Sequence, residues 1–138
     1  MKVYLSGPIS EHDREGTDQW RAQASQFLHK EGIDTIDPCR RKVYYNPQKF
    51  TPNEIVIRDL RDVEEADLVL LNYRLLPGHL PIGSPCEMVY AWDRKKPVVV
   101  VAEDSRIQNH PWVLAMAVRI FPTLEEALEY IVTFWGRA

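Results

Sequence analysis

The stretch GSPCEMVYA at residues 83–91 sets a glutamate, Glu87, between a Gly-Ser-Pro turn and three residues, Met88, Tyr90 and Ala91, that read as the buried face of a helix. A carboxylate among apolar side chains needs a partner or a pocket, because an unpaired charge is costly to bury. Two roles fit. Ser84 as N-cap, Pro85 at the first helical position and Glu87 at the third form a capping-box pattern, which recurs at Thr51–Glu54 and Thr123–Glu126. In the other role Glu87 faces a ligand: the loop before it is rich in Gly and Pro, as closely approached loops are. A helix N-terminus also favours the ionised carboxylate, the form that nucleophilic chemistry needs. Asp59 is the second candidate. It borders the apolar stripe Val56, Leu60 and Val63 of a helix, whereas Asp62 is expected to point toward solvent beside Arg58 and Glu65. Tyr4 is the third. It lies inside the first strand, and its hydroxyl requires an acceptor that a carboxylate at the strand's carboxyl end would supply.

Other chemistries are excluded or weakly signalled. The histidines His12, His29, His79 and His110 are scattered, with no HExxH or CxxC spacing, so no metal site is expected. No GxSxG is present, and no histidine is placed as a local partner for Glu87. Gly7-Pro8 lacks the spacing of a dinucleotide fingerprint or a P-loop. Arg40, Arg41 and Lys42 either hold a phosphate or form a solvated loop. Trp20, Trp92, Trp112 and Trp135 read as core or interface residues rather than a base-stacking platform. A net charge of −3 argues against a nucleic-acid polymer as partner. The apolar runs around Leu68–Leu71 and Val98–Ala102 are too short to span a bilayer, and MKVYLSGPIS does not read as a signal peptide. Cys39 and Cys86 are the only cysteines. They are too few for a disulfide framework, and a cytoplasmic protein with reduced thiols is expected.

The elements that must position these residues follow from periodicity. Strands are expected at Lys2–Ser6, at residues 33–37, at Leu68–Asn72, at Pro97–Ala102 and at Val118–Phe121. Helices are expected from an Asp18 cap to about Lys30, from Pro52 to about Ala66, from Pro85 to about Arg94, shortly after His110-Pro111, and from Thr123 to Trp135. The segment Cys39–Phe50 has no clean period and reads as a long loop. The whole chain, 1–138, is expected to be one α/β domain: a doubly wound, five-stranded parallel sheet, flavodoxin-like or Rossmann-like, with helices on both faces. Ligands of such folds bind beyond the carboxyl ends of the strands, which points to the loops after Ser6, Asp37, Asn72 and Ala102.

Taken in order, YLSGPI at 4–9, DLRDVEEADLVLL at 59–71, GSPCEMVYA at 83–91 and KKPVVVV at 95–101 resemble the nucleoside 2-deoxyribosyltransferase family. The resemblance implies transfer of 2-deoxyribose between nucleobases, an activity of nucleotide salvage, with a 2′-deoxynucleoside and a free nucleobase as partners and no cofactor. It implies that Glu87 is the nucleophile, that Tyr4 hydrogen-bonds its carboxylate, and that Asp59 contacts the base and manages its proton. Gly7 and Pro8 then lie beside the sugar, with Gly83 and Ser84 in the loop that precedes the nucleophile. It further implies a homo-oligomer in which a neighbouring subunit completes the pocket, with Asn109 the candidate to reach a partner's sugar. One position departs from the family pattern: many members carry an aspartate six residues before the nucleophile, and here that residue is Pro81. Related hydrolases of 2′-deoxynucleoside 5′-phosphates also lack that aspartate, which makes a nucleotide hydrolase the alternative, with Ser10, Arg14 and Arg40 as phosphate ligands. PGHLPIGSPCE also loosely resembles the PGGxGTxxE motif of cytokinin-activating phosphoribohydrolases, with one glycine missing. A non-catalytic nucleotide-binding module would share the fold and bind nucleosides without turning them over.

Overall fold

Apolar runs of four or five residues alternate with amphipathic segments along the chain, and the first pair into a sheet that the second cover. The computed structural model describes residues 1–137. Its strands are β1 (Lys2–Ser6), β2 (Asp34–Ile36), β3 (Leu68–Asn72), β4 (Val98–Val101) and β5 (Arg119–Phe121). The helices are α1 (Arg14–Lys30), α2 (Pro52–Glu65), α3 (Gly83–Asp93), α4 (Ser105–Gln108), α5 (Pro111–Met116) and α6 (Leu124–Tyr130), the last running on into a π turn at Ile131–Trp135. Every strand pair is parallel, in the order β2-β1-β3-β4-β5. This is the flavodoxin-like order, with its switch point between β1 and β3.

Strand alternation divides the core in two. Val3, Leu5, Leu68, Leu70, Val99 and Val101 pack against α1 and α6. Tyr4, Val69, Leu71, Val98 and Val100 pack against α2, α3 and α5. All residues of β3 and β4 are buried, which is why both read as continuous apolar runs. No helix among the described residues is long and apolar enough to cross a membrane.

The structure differs from expectation in four places. Helix α1 begins at Arg14 rather than after Asp18, because the Asp13 carboxylate accepts the Gly16 amide and caps the helix five residues earlier. Helix α3 begins at Gly83, with Ile82 at its N-cap and no side-chain cap, so Ser84, Pro85 and Glu87 do not form the capping box that their spacing suggested. Residues Arg40–Tyr45 form kinked 3-10 turns rather than a plain loop. A short helix, α4, follows β4, its start fixed by the Asp104 carboxylate accepting the Arg106 amide. The capping box at Thr51–Glu54 is present, with both reciprocal bonds formed.

Candidate active site

The carboxyl end of β1 builds the floor of the site. Tyr4 and Ser6 are two residues apart, so they project from the same face of the sheet, the face covered by α2 and α3. Both are fully buried. The chain then turns at Gly7 in a space with no room for a side chain: a Cβ there would lie 2.8 Å from the Asn72 carbonyl oxygen and 3.0 Å from the Trp20 ring. Arg21, itself fully buried, locks this end in place by donating to the carbonyls of Leu5 (3.2 Å), Thr17 (2.8 Å) and Gly7 (3.0 Å).

Glu87 is brought to that floor by the first turns of α3. The Tyr4 hydroxyl donates to Oε2 at 2.5 Å and the Ser6 hydroxyl donates to Oε1 at 2.7 Å. Burial pushes the Glu87 carboxyl up to about 7, Asp59 adding to the rise while the Tyr4 and Ser6 bonds and the Arg21 charge oppose it. Burial, and then the charge of Glu87, hold the Tyr4 phenol well above its usual range, so it stays a donor.

Asp59 lies on α2, almost completely buried. The Tyr44 hydroxyl donates to its Oδ2. Its Oδ1 has no hydrogen-bond partner, the nearest cation being Arg58 Nε at 3.9 Å. Burial pushes the Asp59 carboxyl up to about 6, against the lowering effects of the Tyr44 bond and of Arg58. Asp62, expected toward solvent, is instead buried and takes two bonds from Arg40, at 2.7 and 3.1 Å. The turn at residues 40–45 packs over that side of α2 and shields it from water.

Both carboxylates line one cavity of about 340 Å³, within the size range of small-molecule sites. Its walls are largely apolar, with Ile9, Val56, Leu60, Leu80 and Ile82 among them. Val56 and Leu60, read from sequence as a core-facing stripe, therefore face the cavity. Of the residues singled out from sequence, Glu87, Asp59, Gly7, Pro8, Gly83 and Ser84 line it, and Tyr4 supports Glu87 from beneath. Asn109 is not part of it: it ends α4, exposed, with its side chain on the Ser105 carbonyl. Three residues near or in the cavity escaped the sequence reading. Ser6 carried a signal, the two-residue spacing from Tyr4. Tyr44 and His79, which line the cavity, carried none beyond lying in loops after strand ends. The two loops that wall the cavity are tied together by Arg74 on Asp13, at 2.8 Å, in a space that Gly16 leaves open: a Cβ there would lie 2.4 Å from Asp13 and 2.7 Å from Arg74. Among the described residues no group of His, Cys, Asp or Glu converges as a metal site.

Solved structures share the whole architecture. A 2-deoxyribosyltransferase from Leishmania mexicana aligns with a TM-score of 0.76 at 14% identity, over 96% of this chain and 97% of that one. A 2-deoxyribosyltransferase from Bacillus psychrosaccharolyticus aligns with a TM-score of 0.68 at 17% identity, over 94% and 92% of the two chains. A conserved protein from Enterococcus faecalis V583 aligns with a TM-score of 0.73 at 21% identity, over 96% and 98%. At these identities the likeness speaks for the fold. No curated protein sequence matches the chain significantly. Residues 1–105 match the family model described as nucleoside 2-deoxyribosyltransferase like. That span holds the first four strands and both cavity carboxylates, and the chain belongs to the nucleoside 2-deoxyribosyltransferase-like family.

Proposed function

We propose that this protein transfers 2-deoxyribose between nucleobases by double displacement at Glu87. The observation that carries the reading is the Glu87 carboxylate, held by two buried hydroxyl donors in a mostly apolar cavity that Asp59 also lines. In the first step a Glu87 oxygen bonds to C1′ as the C1′–N bond breaks. The bonding pair leaves with the base nitrogen, which takes a proton from Asp59. In the second step the nitrogen of an incoming base bonds to C1′ and gives its proton to Asp59, while the ester pair returns to Glu87. Two inversions retain configuration, as in retaining glycosidases. The competent state has the proton on Asp59 and the charge on Glu87, the minor arrangement of a singly protonated pair whose members stand at about 6 and about 7.

The cavity suits an uncharged nucleoside better than its 5′-phosphate. Among the described residues no arginine or lysine lines it. Each of the three phosphate candidates from sequence already has a partner. The Ser10 hydroxyl accepts the His12 amide. Arg14 lies over the Tyr45 ring, and Arg40 is held by Asp62. A second copy of the chain is the partner best suited to the exposed Val89, Trp92 and Trp112 of α3 and α5.

The test is chromatography of the purified protein with deoxyinosine and adenine, beside dCMP and dGMP alone, with Glu87→Ala as control. Deoxyadenosine and hypoxanthine are expected from the intact protein only, with the monophosphates left whole. Free base from the monophosphates without exchange would overturn the transferase reading. Binding without any product would leave a nucleoside-binding module.

A further inference from the structure

The segment joining β2 to α2 is too short of regular structure to hold its own shape, yet α2 fixes it at three points. Arg58 donates to the Pro38 carbonyl, Asp62 accepts from Arg40, and Asp59 accepts from the Tyr44 hydroxyl. Between Arg40 and Tyr44 the backbone passes through two consecutive left-handed residues, Arg41 (φ 58°) and Lys42 (φ 55°). Neither is glycine, and residues with a Cβ seldom adopt this region. Such backbone persists where the surroundings over-determine it, and it concentrates at functional sites. Both side chains are exposed, and what the double turn achieves is geometric. It returns the chain to α2 only four residues after Arg40, so that Tyr44 meets Asp59 inside the cavity wall.

We infer that Tyr44 is a positioning residue for Asp59, held in place by the strained turn and by the Arg40–Asp62 pair. The phenol occupies Oδ2 as a donor. It fixes the rotation of the carboxyl, whose Oδ1 is buried and unpartnered on the Arg58 side. The inference rests on the assignment of Asp59 as the general acid. The charged and titratable groups near Asp59 are Tyr44 and Arg40 from the turn, Arg58 and Asp62 from its own helix, Glu87 from α3 and Tyr4 from β1. Of these only Tyr44 donates a hydrogen bond to it.

The test compares wild type with Tyr44→Phe on two donors. Deoxyinosine needs its leaving base protonated, whereas 7-methyl-2′-deoxyguanosine carries a cationic base that departs without a proton. Tyr44→Phe is expected to keep the wild-type melting temperature and a KM within about twofold, and to lose about tenfold or more in kcat on deoxyinosine. On the methylated donor its kcat should equal that of wild type. Loss of the bond that lowers the Asp59 carboxyl should also move the kcat profile to higher pH. Arg40→Gln, which releases the turn but leaves Tyr44 in the chain, should show the same donor-selective loss. Equal losses on both donors, or none on either, with an unmoved pH profile, would overturn the inference and leave the transferase reading intact. A wild type inactive on both donors would remove that reading, and the inference with it.

Discussion

Replacing Glu87 by glutamine separates what the carboxylate costs the fold from what it does in the reaction. In the folded chain burial raises this carboxyl from its ordinary 4.5 to about 7, so the folded state binds its proton more tightly than the unfolded state does. The sign of the linkage follows. Below the unfolded value the group is protonated in both states and costs nothing. As pH rises from 4.5 through about 7, the unfolded chain releases the proton first and stability is lost. Above that interval the full cost is present, about 3 kcal/mol at 1.36 kcal/mol per unit. Glutamine has the same shape without the charge, but its amide cannot accept from both Tyr4 and Ser6, and the mismatch returns about 1 kcal/mol. The net expectation at pH 8 is a variant about 2 kcal/mol more stable than wild type, or about 6 °C in melting temperature for a domain of this size. At pH 4 the charge costs nothing and only the mismatch remains, leaving the variant about 1 kcal/mol less stable than wild type. Thermal melts of both proteins across this range check it, and the readout is the difference between them, which cancels the other titrating groups. A variant less stable than wild type at pH 8, or a difference that does not change with pH, would refute the buried-carboxylate reasoning. Stability gained as activity is abolished is the usual trade at a site built for reaction.

Three further outcomes follow from the same geometry. The rate of base exchange should peak between about pH 6 and 7, because the competent pair keeps one proton, and titration of the pair toward about 6 on one side and about 7 on the other removes it. A kcat profile still rising at pH 9 would contradict this. Tyr4→Phe removes a donor that favours ionised Glu87, so kcat should fall by about tenfold or more and the kcat profile should move to higher pH. Gly7→Ala puts a methyl 2.8 Å from the Asn72 carbonyl oxygen, and denaturant unfolding should report a loss of about 1–3 kcal/mol.

The fold was legible because its signals are local. The buried strands β3 and β4 are short apolar runs, and each stands between helical periods, which is enough to imply a parallel sheet with helices on both faces. Helix starts were less secure wherever two candidates compete. Asp13 and Asp18 are both reasonable caps for α1, and Asp13 wins because the Glu11–Asp13 turn leads directly into it and its carboxylate also meets Arg74. The segment 39–50 was opaque for a different reason. Its double left-handed turn uses arginine and lysine where a turn signal would be glycine or asparagine, so RRK read as a solvated run. Asp62 was misplaced in consequence, since its burial comes from the turn that packs over it rather than from the period of its own helix.

The site was only half legible, because what makes Glu87 more than a cap lies far away in the chain. Its two hydrogen-bond donors are 83 and 81 residues distant, beyond any window a local pattern can use. Locally, Ser84-Pro85-Cys86-Glu87 satisfies the rules of a capping box, and those rules would have the carboxylate turn back to an exposed backbone amide. That bond replaces one that water makes nearly as well, and a cap is worth about 1 kcal/mol. At the end of β1, two fully buried hydroxyls have no water to turn to, and bonds from such donors to a charged group are worth about 1.5–3 kcal/mol. Leaving one unpaired would cost about 1–3 kcal/mol. The side chain therefore goes where the donors are stranded, and the helix starts at Gly83 without a side-chain cap. The capping pattern goes unused because a strand bearing two buried hydroxyls at period-two spacing takes the carboxylate instead.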